Sequence, residues 1–214
     1  EIVKPLKTNK DWYDKLKEGT ANVLNVPRAL MTSADVSAPF RQGVFLVGHK
    51  ELYTNMPRMV KAAFPSEYHD AVWSEIRQRP TYRWMQRAGI SFSSVDGPLE
   101  SREEAFMSRL AEKIPGIGRV VGASNRAYVT YLNRLRADVF DKILYSWKDL
   151  DVDYRNTGRL RQLGKFINAA TGRGDLGKYN DAAPLLSATF FSPRLQMSRL
   201  MLLNPVYYMR MDPL

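Results

Sequence analysis

Residues 169–180, AATGRGDLGKYN, set Gly172, Gly174 and Gly177 in the spacing G-x-G-x-x-G, with Lys178 directly after. Such a set could cradle a phosphate, because glycines let the main chain approach, backbone N–H groups point at the anion and a lysine adds charge. The chemistry requires a buried strand feeding into the loop and a helix opening from it. Here the residues feeding in, RLRQLGKFINAAT, carry apolar side chains at helical spacing, and Pro184 comes too early downstream for a nucleotide-binding helix. The glycines therefore mark the end of a helix, with Gly172 as the left-handed residue that closes it. A nucleotide enzyme that uses this loop and Lys178 stays as the alternative.

Other candidate chemistry is thinner. Asp149, Asp151 and Asp153 imitate the first ligands of a calcium loop, but position six is Tyr154 instead of Gly and position twelve is Leu160 instead of Glu. They read as a solvated acidic linker that also caps the next helix. His49 and His69 belong to no zinc-binding pattern, no G-x-S-x-G elbow is present, and the chain has no Cys. The sequence assigns no catalytic residue, no metal site and no cofactor.

Charge is more informative. The net charge is +10, and residues 108–214 carry most of it, with 17 basic against 9 acidic side chains. A polyanion is the expected partner: nucleic acid, an anionic membrane surface or an acidic protein. Arg134, Asp138 and Lys142 stand four apart and are expected to neutralise one another along one helix. Arg155, Arg161 and Lys165 have no acid at helical spacing within the following helix, and Arg173 and Lys178 extend that basic surface. These five are the candidate polyanion contacts. No helix-turn-helix or zinc-finger pattern points to base reading.

The segment LLSATFFSPRLQMSRLMLLNPVYYMRM is rich in Met, Leu and aromatic residues. It reads as a docking tail with Phe190, Phe191, Leu195, Met197, Leu200, Met201, Tyr207 and Tyr208 facing a protein partner. Contact with a membrane surface through Arg194, Arg199 and Arg210 is the rival reading. No run has the length of a membrane span.

The elements that must position these groups are helical. Tyr128, Leu132, Leu135, Val139 and Ile143 form one stripe and predict a long helix over about 124–148. Ser101 and Glu104 form a capping box for a helix stopped by Pro115, Gly116 and Gly118. A further helix carries Leu160, Leu163, Ile167 and Ala170 inward, and another runs from Ser192 to Pro205. The N-terminal half predicts helices over about 10–18, 20–31, 38–48, 54–63 and 67–79. Its one β-compatible run is ISFSSV, residues 90–95, and a single strand makes no sheet. The fold expected is all-α, an irregular multi-helix assembly around one long central helix, with segments 1–98 and 99–214 divided in the connection Gly89–Pro98. The start at Glu1 and the end at MRMDPL read as a piece of a longer chain.

Four stretches, NVPRALMTSADVSAPFRQG, LESREEAFMSRLAEKIPGIGRVVGASNRAYVTYLNRLRADVFD, KFINAATGRGDLG and FFSPRLQMSRLMLLNPVYY, resemble a region of the polyvalent proteins of large bacteriophages. The resemblance covers most of the chain and carries no catalytic motif. It implies a non-enzymatic segment inside the virion, ejected with the genome, packed against portal or internal core proteins, homo-oligomeric, and in nonspecific contact with DNA. The alternative it leaves is a helical DNA-binding module of a phage or mobile-element enzyme acting in the host cell.

Overall fold

A computed structural model describes residues 42–63, 66–93, 118–177 and 192–211. A short 3-10 turn, Val44–Leu46, leads into helices α1 (Glu51–Thr54), α2 (Met56–Ala63), α3 (Ser66–Gln78) and α4 (Tyr82–Ala88). Helix α5 (Gly118–Asp149) is followed by α6 (Thr157–Ala170), α7 (Pro193–Leu203) and α8 (Pro205–Met209). No strand occurs among the described residues, so the fold is all-α as the sequence predicts.

Helix α5 is the axis. Its 32 residues reach about 48 Å at 1.5 Å per residue, and the predicted stripe of Tyr128, Leu132, Leu135 and Val139 is buried along it. Val129, Tyr131, Ala137 and Phe140 on its other sides are buried too. A helix buried on more than one side needs neighbours on more than one flank. Helices α2 and α3 pack on it, and α6 packs against α5, α4 and α7. The apolar cluster draws Leu46, Leu52, Val72, Ile76 and Met85 together with Leu160, Ile167 and Leu202. It thus includes residues from both sides of the expected 98/99 division, which itself falls outside the described residues.

Several boundaries differ from expectation. Helix α5 begins at Gly118, ahead of the expected start near residue 124, and fully buried Val121 anchors the added turn. The helix expected over 54–63 is interrupted at Asn55. Its buried Nδ2 donates to the Glu51 carbonyl at 3.0 Å and to Asp138 at 2.8 Å. Helix α4 lies where the sequence reading placed none. The described part of the expected helix 38–48 is helical at residues 42–46, α-helical and then 3-10, and ends there. The capping-box helix and the helices expected over 10–18 and 20–31 lie outside the described residues.

The β-compatible residues 90–93 have no regular secondary structure and join no sheet. Their main-chain groups pair with side chains of α5 and α6. Asn168 Oδ1 accepts from Ser91 N–H at 2.9 Å and its Nδ2 donates to Gly89 O at 2.8 Å. Asn133 serves Ser93 in the same way, and Arg136 Nη1 donates to Ser91 O at 2.6 Å. Buried main-chain groups must find partners, and here amides and a guanidinium replace a neighbouring strand.

The expected ladder of Arg134, Asp138 and Lys142 works between helices instead of along one. Arg134 pairs with Glu75 of α3 as well as with Asp138 at 3.6 Å, and Lys142 reaches Glu51 at 3.4 Å. Arg79, just past α3, adds contacts to Asp138 at 2.8 Å, Asp141 at 2.9 Å and Glu75 at 3.1 Å. The α1–α3 flank of the central helix is therefore a cross-linked ion-pair network.

Candidate functional site

Helices α6 to α8 have a different charge pattern. Among residues 157–177 and 192–211 there are seven Lys and Arg and one acid, Asp175. Helix α6 starts where the Asn156 side chain accepts the N–H groups of Gly158 at 2.9 Å and Arg159 at 3.3 Å. The cap is thus Asn156, not the Asp149–Asp153 cluster. Asp153 instead accepts from Arg155 N–H at 3.0 Å. Leu160, Leu163, Gly164 and Ile167 face the core, which turns Arg161 and Lys165 outward, one helical turn apart and exposed.

At the far end Gly172 has φ 85°. Its N–H bonds Ala169 O at 2.9 Å, and Arg173 N–H bonds Asn168 O at 2.7 Å. This is a Schellman closure with glycine at the left-handed position. A helix, not a strand, feeds the G-x-G-x-x-G stretch, so the phosphate-loop geometry is not built here. Gly174 has another role: a Cβ there would overlap the α7 main chain at Arg194 and Ser198, and its N–H donates to Arg194 O at 3.0 Å. The loop is pinned to α7 by that approach.

The predicted basic residues are only partly brought together. Lys165 and Arg173 line one cleft of about 290 Å³, joined by Arg194 of α7. Arg161 stands one turn before Lys165 on the same outer face. Arg155 precedes α6, with its guanidinium 5.8 Å from the Tyr154 ring, which also faces Lys148 and meets Trp84 edge-on. Lys178 lies outside the described residues. Sequence reading missed Arg194 as a member of the cleft. Its only local signal was a basic residue in the first turn of a helix, since the contact with Gly174 joins positions twenty apart.

The proposed docking residues divide. Leu195 is buried in the chain's own core, and Met201 and Tyr207 pack against the central cluster, so none of the three presents a full outer face. Met197 is half-buried, whereas Leu200 is 65% and Tyr208 43% exposed. Leu203 at 71% and Met209 at 82%, not singled out from sequence, are more open than either. Phe190 and Phe191 lie outside the described residues. A second cleft, about 220 Å³ and mostly apolar, lies among Trp147, Leu163, Phe166 and Tyr208.

Neither histidine enters a site. His69 Nδ1 is 2.7 Å from Thr130 Oγ1. Burial and then the charge of Lys142 lower the His49 pKa, although Glu51 pulls it the other way. Among the described residues no group of His, Asp and Glu could hold a metal ion, and no helix is long and apolar enough to cross a membrane. No family model, curated protein or solved structure matches the chain.

Proposed function

We propose that this chain is a non-enzymatic helical segment of a large phage protein, which lies against DNA inside the virion through its α6–α8 flank. The observation that carries the DNA contact is the outward pair Arg161 and Lys165 on a helix without a single Asp or Glu. Each cation set against a phosphate releases a counterion, so a face of this kind gives affinity without base recognition. The neutralised α1–α3 flank supplies the contrast: acids are available to this fold and are concentrated where they hold helices together. The phage setting rests on the sequence resemblance. Contact with other virion proteins rests on the exposed apolar side chains Leu200, Leu203 and Met209 of the tail.

The test is binding of the chain to a mixed-sequence duplex as salt is raised from about 50 to about 200 mM. Affinity should fall steeply with salt and be indifferent to sequence. Arg155→Glu with Arg161→Glu should weaken it at least about tenfold and flatten the salt slope. Unchanged binding in that double variant, or none at low salt, would remove the reading. An intracellular DNA-binding module would show the same salt behaviour, so the protein content of purified particles of the source phage separates the two.

A further inference from the structure

Rings and cations alternate where α4, the end of α5 and the connection to α6 come together. Lys148 Nζ lies 5.1 Å from the centre of the Tyr145 ring and 5.2 Å from that of Tyr154. The Arg155 guanidinium stands 5.8 Å from the Tyr154 ring, Tyr154 meets Trp84 edge-on at 5.5 Å, and the Arg87 guanidinium stands 5.0 Å from the Trp84 ring. Trp84 and Tyr154 are half-buried against the central cluster, which fixes them, whereas Tyr145 is 48% exposed and Arg87, Lys148 and Arg155 are exposed. Among the described residues these three cations sit over rings and form no ion pair. Asp149, Asp151 and Asp153 lie in or beside the same connection, and Asp153 accepts from the Arg155 main-chain N–H at 3.0 Å.

A cation over an exposed ring is held more weakly than one hydrogen-bonded to a phosphate oxygen, so a phosphate can draw these side chains off the rings. The ring faces left behind suit a base, since every base has a π-face and stacking on one aromatic side chain raises affinity about 5- to 100-fold. Inside a duplex those faces are covered by neighbouring bases, whereas in a single strand they are open. The three aspartates oppose phosphate, so the rings have to carry much of the affinity and its salt dependence should be shallow. We propose that this array is a stacking surface for single-stranded nucleic acid, with bases against Tyr145, Tyr154 and Trp84 and phosphates against Lys148, Arg155 and Arg87. The surface goes beyond the duplex contact of the outer α6 face and shares only Arg155 with the residues that test it.

The experiment uses the full 214-residue chain and three fluorescent probes: an oligothymidine of about 15 nucleotides, its abasic twin with the same phosphates and no bases, and a mixed-sequence duplex. The readout is the ratio of oligothymidine to abasic affinity, which isolates stacking from phosphate contact. Oligothymidine should bind at least about tenfold tighter than the abasic strand. Tyr145→Ala removes an exposed ring without touching the core, so at an unchanged thermal midpoint it should lower that ratio about fivefold or more, and Tyr145→Phe should restore it. Arg161→Gln with Lys165→Gln spares the array and should weaken duplex binding while keeping the ratio. Tighter binding of oligothymidine than of oligouridine assigns DNA to the surface, and the reverse assigns RNA. Equal affinity for the oligothymidine and the abasic strand, the same ratio in Tyr145→Ala as in the parent chain, or no single-strand binding at all overturns the surface. Single-strand binding with the expected ratio in a chain that never binds duplex removes only the duplex reading.

Discussion

Asn133 holds the main chain of Ser93 from both sides, its Nδ2 donating to Ser93 O and its Oδ1 accepting Ser93 N–H, each at 2.8 Å. One side-chain amide thus supplies what a neighbouring strand would supply, and it fastens Ser93 to the central helix. Both partners are buried. Asn133→Ala leaves a donor and an acceptor unsatisfied at about 1–3 kcal/mol each, so the total should be about 2–6 kcal/mol. A lower urea midpoint with an unchanged slope, their product giving a loss of that size, is the expected result.

Gly164 on α6 passes so close to α4 that a Cβ would overlap the Ala88 carbonyl oxygen, a main-chain atom that cannot step aside. Gly164→Ala should therefore destabilise by about 2 kcal/mol or more, although alanine is the better helix former by about 1 kcal/mol. Gly122 on α5 is the control, since its added methyl meets only the side-chain end of Arg126, at an ordinary contact distance of 3.4 Å. Gly122→Ala should stabilise by about 0.5–1 kcal/mol. Opposite shifts in thermal midpoint check the pair; shifts of the same sign would mean that α4 and α6 do not meet at this point.

What could be read in the sequence was what period and local chemistry carry. The stripe Tyr128, Leu132, Leu135 and Val139 lies on one face whatever surrounds it, and Gly172 closes a helix by its own left-handed geometry. Parts decided by distant contacts were not readable. Helix α4 is too short for a period to show, and α5 begins at Gly118 because Val121 finds a buried place. The ladder of Arg134 and Lys142 points to Glu75 and Glu51, which lie far away in sequence. Of the cleft, Lys165 and Arg173 were legible as cations without local acids. Arg194 was not, because the absence of a side chain at Gly174 brings it there. The apolar tail was legible in composition but not in facing, since Leu195 and Leu200 differ only in which side of α7 they occupy.

The ion-pair network predicts unequal roles for its carboxylates. Asp138 binds Arg79, Arg134 and Asn55 together, so Asp138→Asn leaves two partly buried guanidinium groups short of an acceptor and should cost about 3 kcal/mol. Glu75 is half exposed, and Glu75→Gln should cost under about 1 kcal/mol. Chemical denaturation of the two variants checks the order.

The pH dependence of two acids in that network has opposite signs. For Glu75 burial works against ionisation, yet the hydrogen bonds and charges of Arg134 and Arg79 hold its pKa below the usual value. Its contribution is present above the unfolded carboxylate pKa and is lost as pH falls through the lower folded value. Burial raises the Asp141 pKa despite its bond to Arg79. The native state then keeps that proton longer than the unfolded chain, so its contribution is present below the unfolded pKa and is lost as pH rises through the raised one. Asp141→Asn imitates the protonated form at every pH. Relative to the parent chain it should gain stability as pH rises from about 3 toward neutrality, and a flat difference in thermal midpoint over that span would contradict the assignment.

Tyr207 packs its ring against the central cluster, while its buried hydroxyl has no hydrogen-bond partner among the described residues. Burial and the neighbouring Tyr208 push its pKa up to about 12. A buried hydroxyl without a partner costs about 1–3 kcal/mol relative to water, and the ring alone keeps the packing. Tyr207→Phe should therefore leave stability unchanged or raise it by about 1 kcal/mol. Tyr208→Phe should instead lower it by about 1 kcal/mol, because the Tyr208 hydroxyl donates to Leu202 O at 2.8 Å and ties α8 back to α7. Thermal midpoints of the two single variants decide the matter: a loss at Tyr207 equal to that at Tyr208 would show that its hydroxyl is bonded after all.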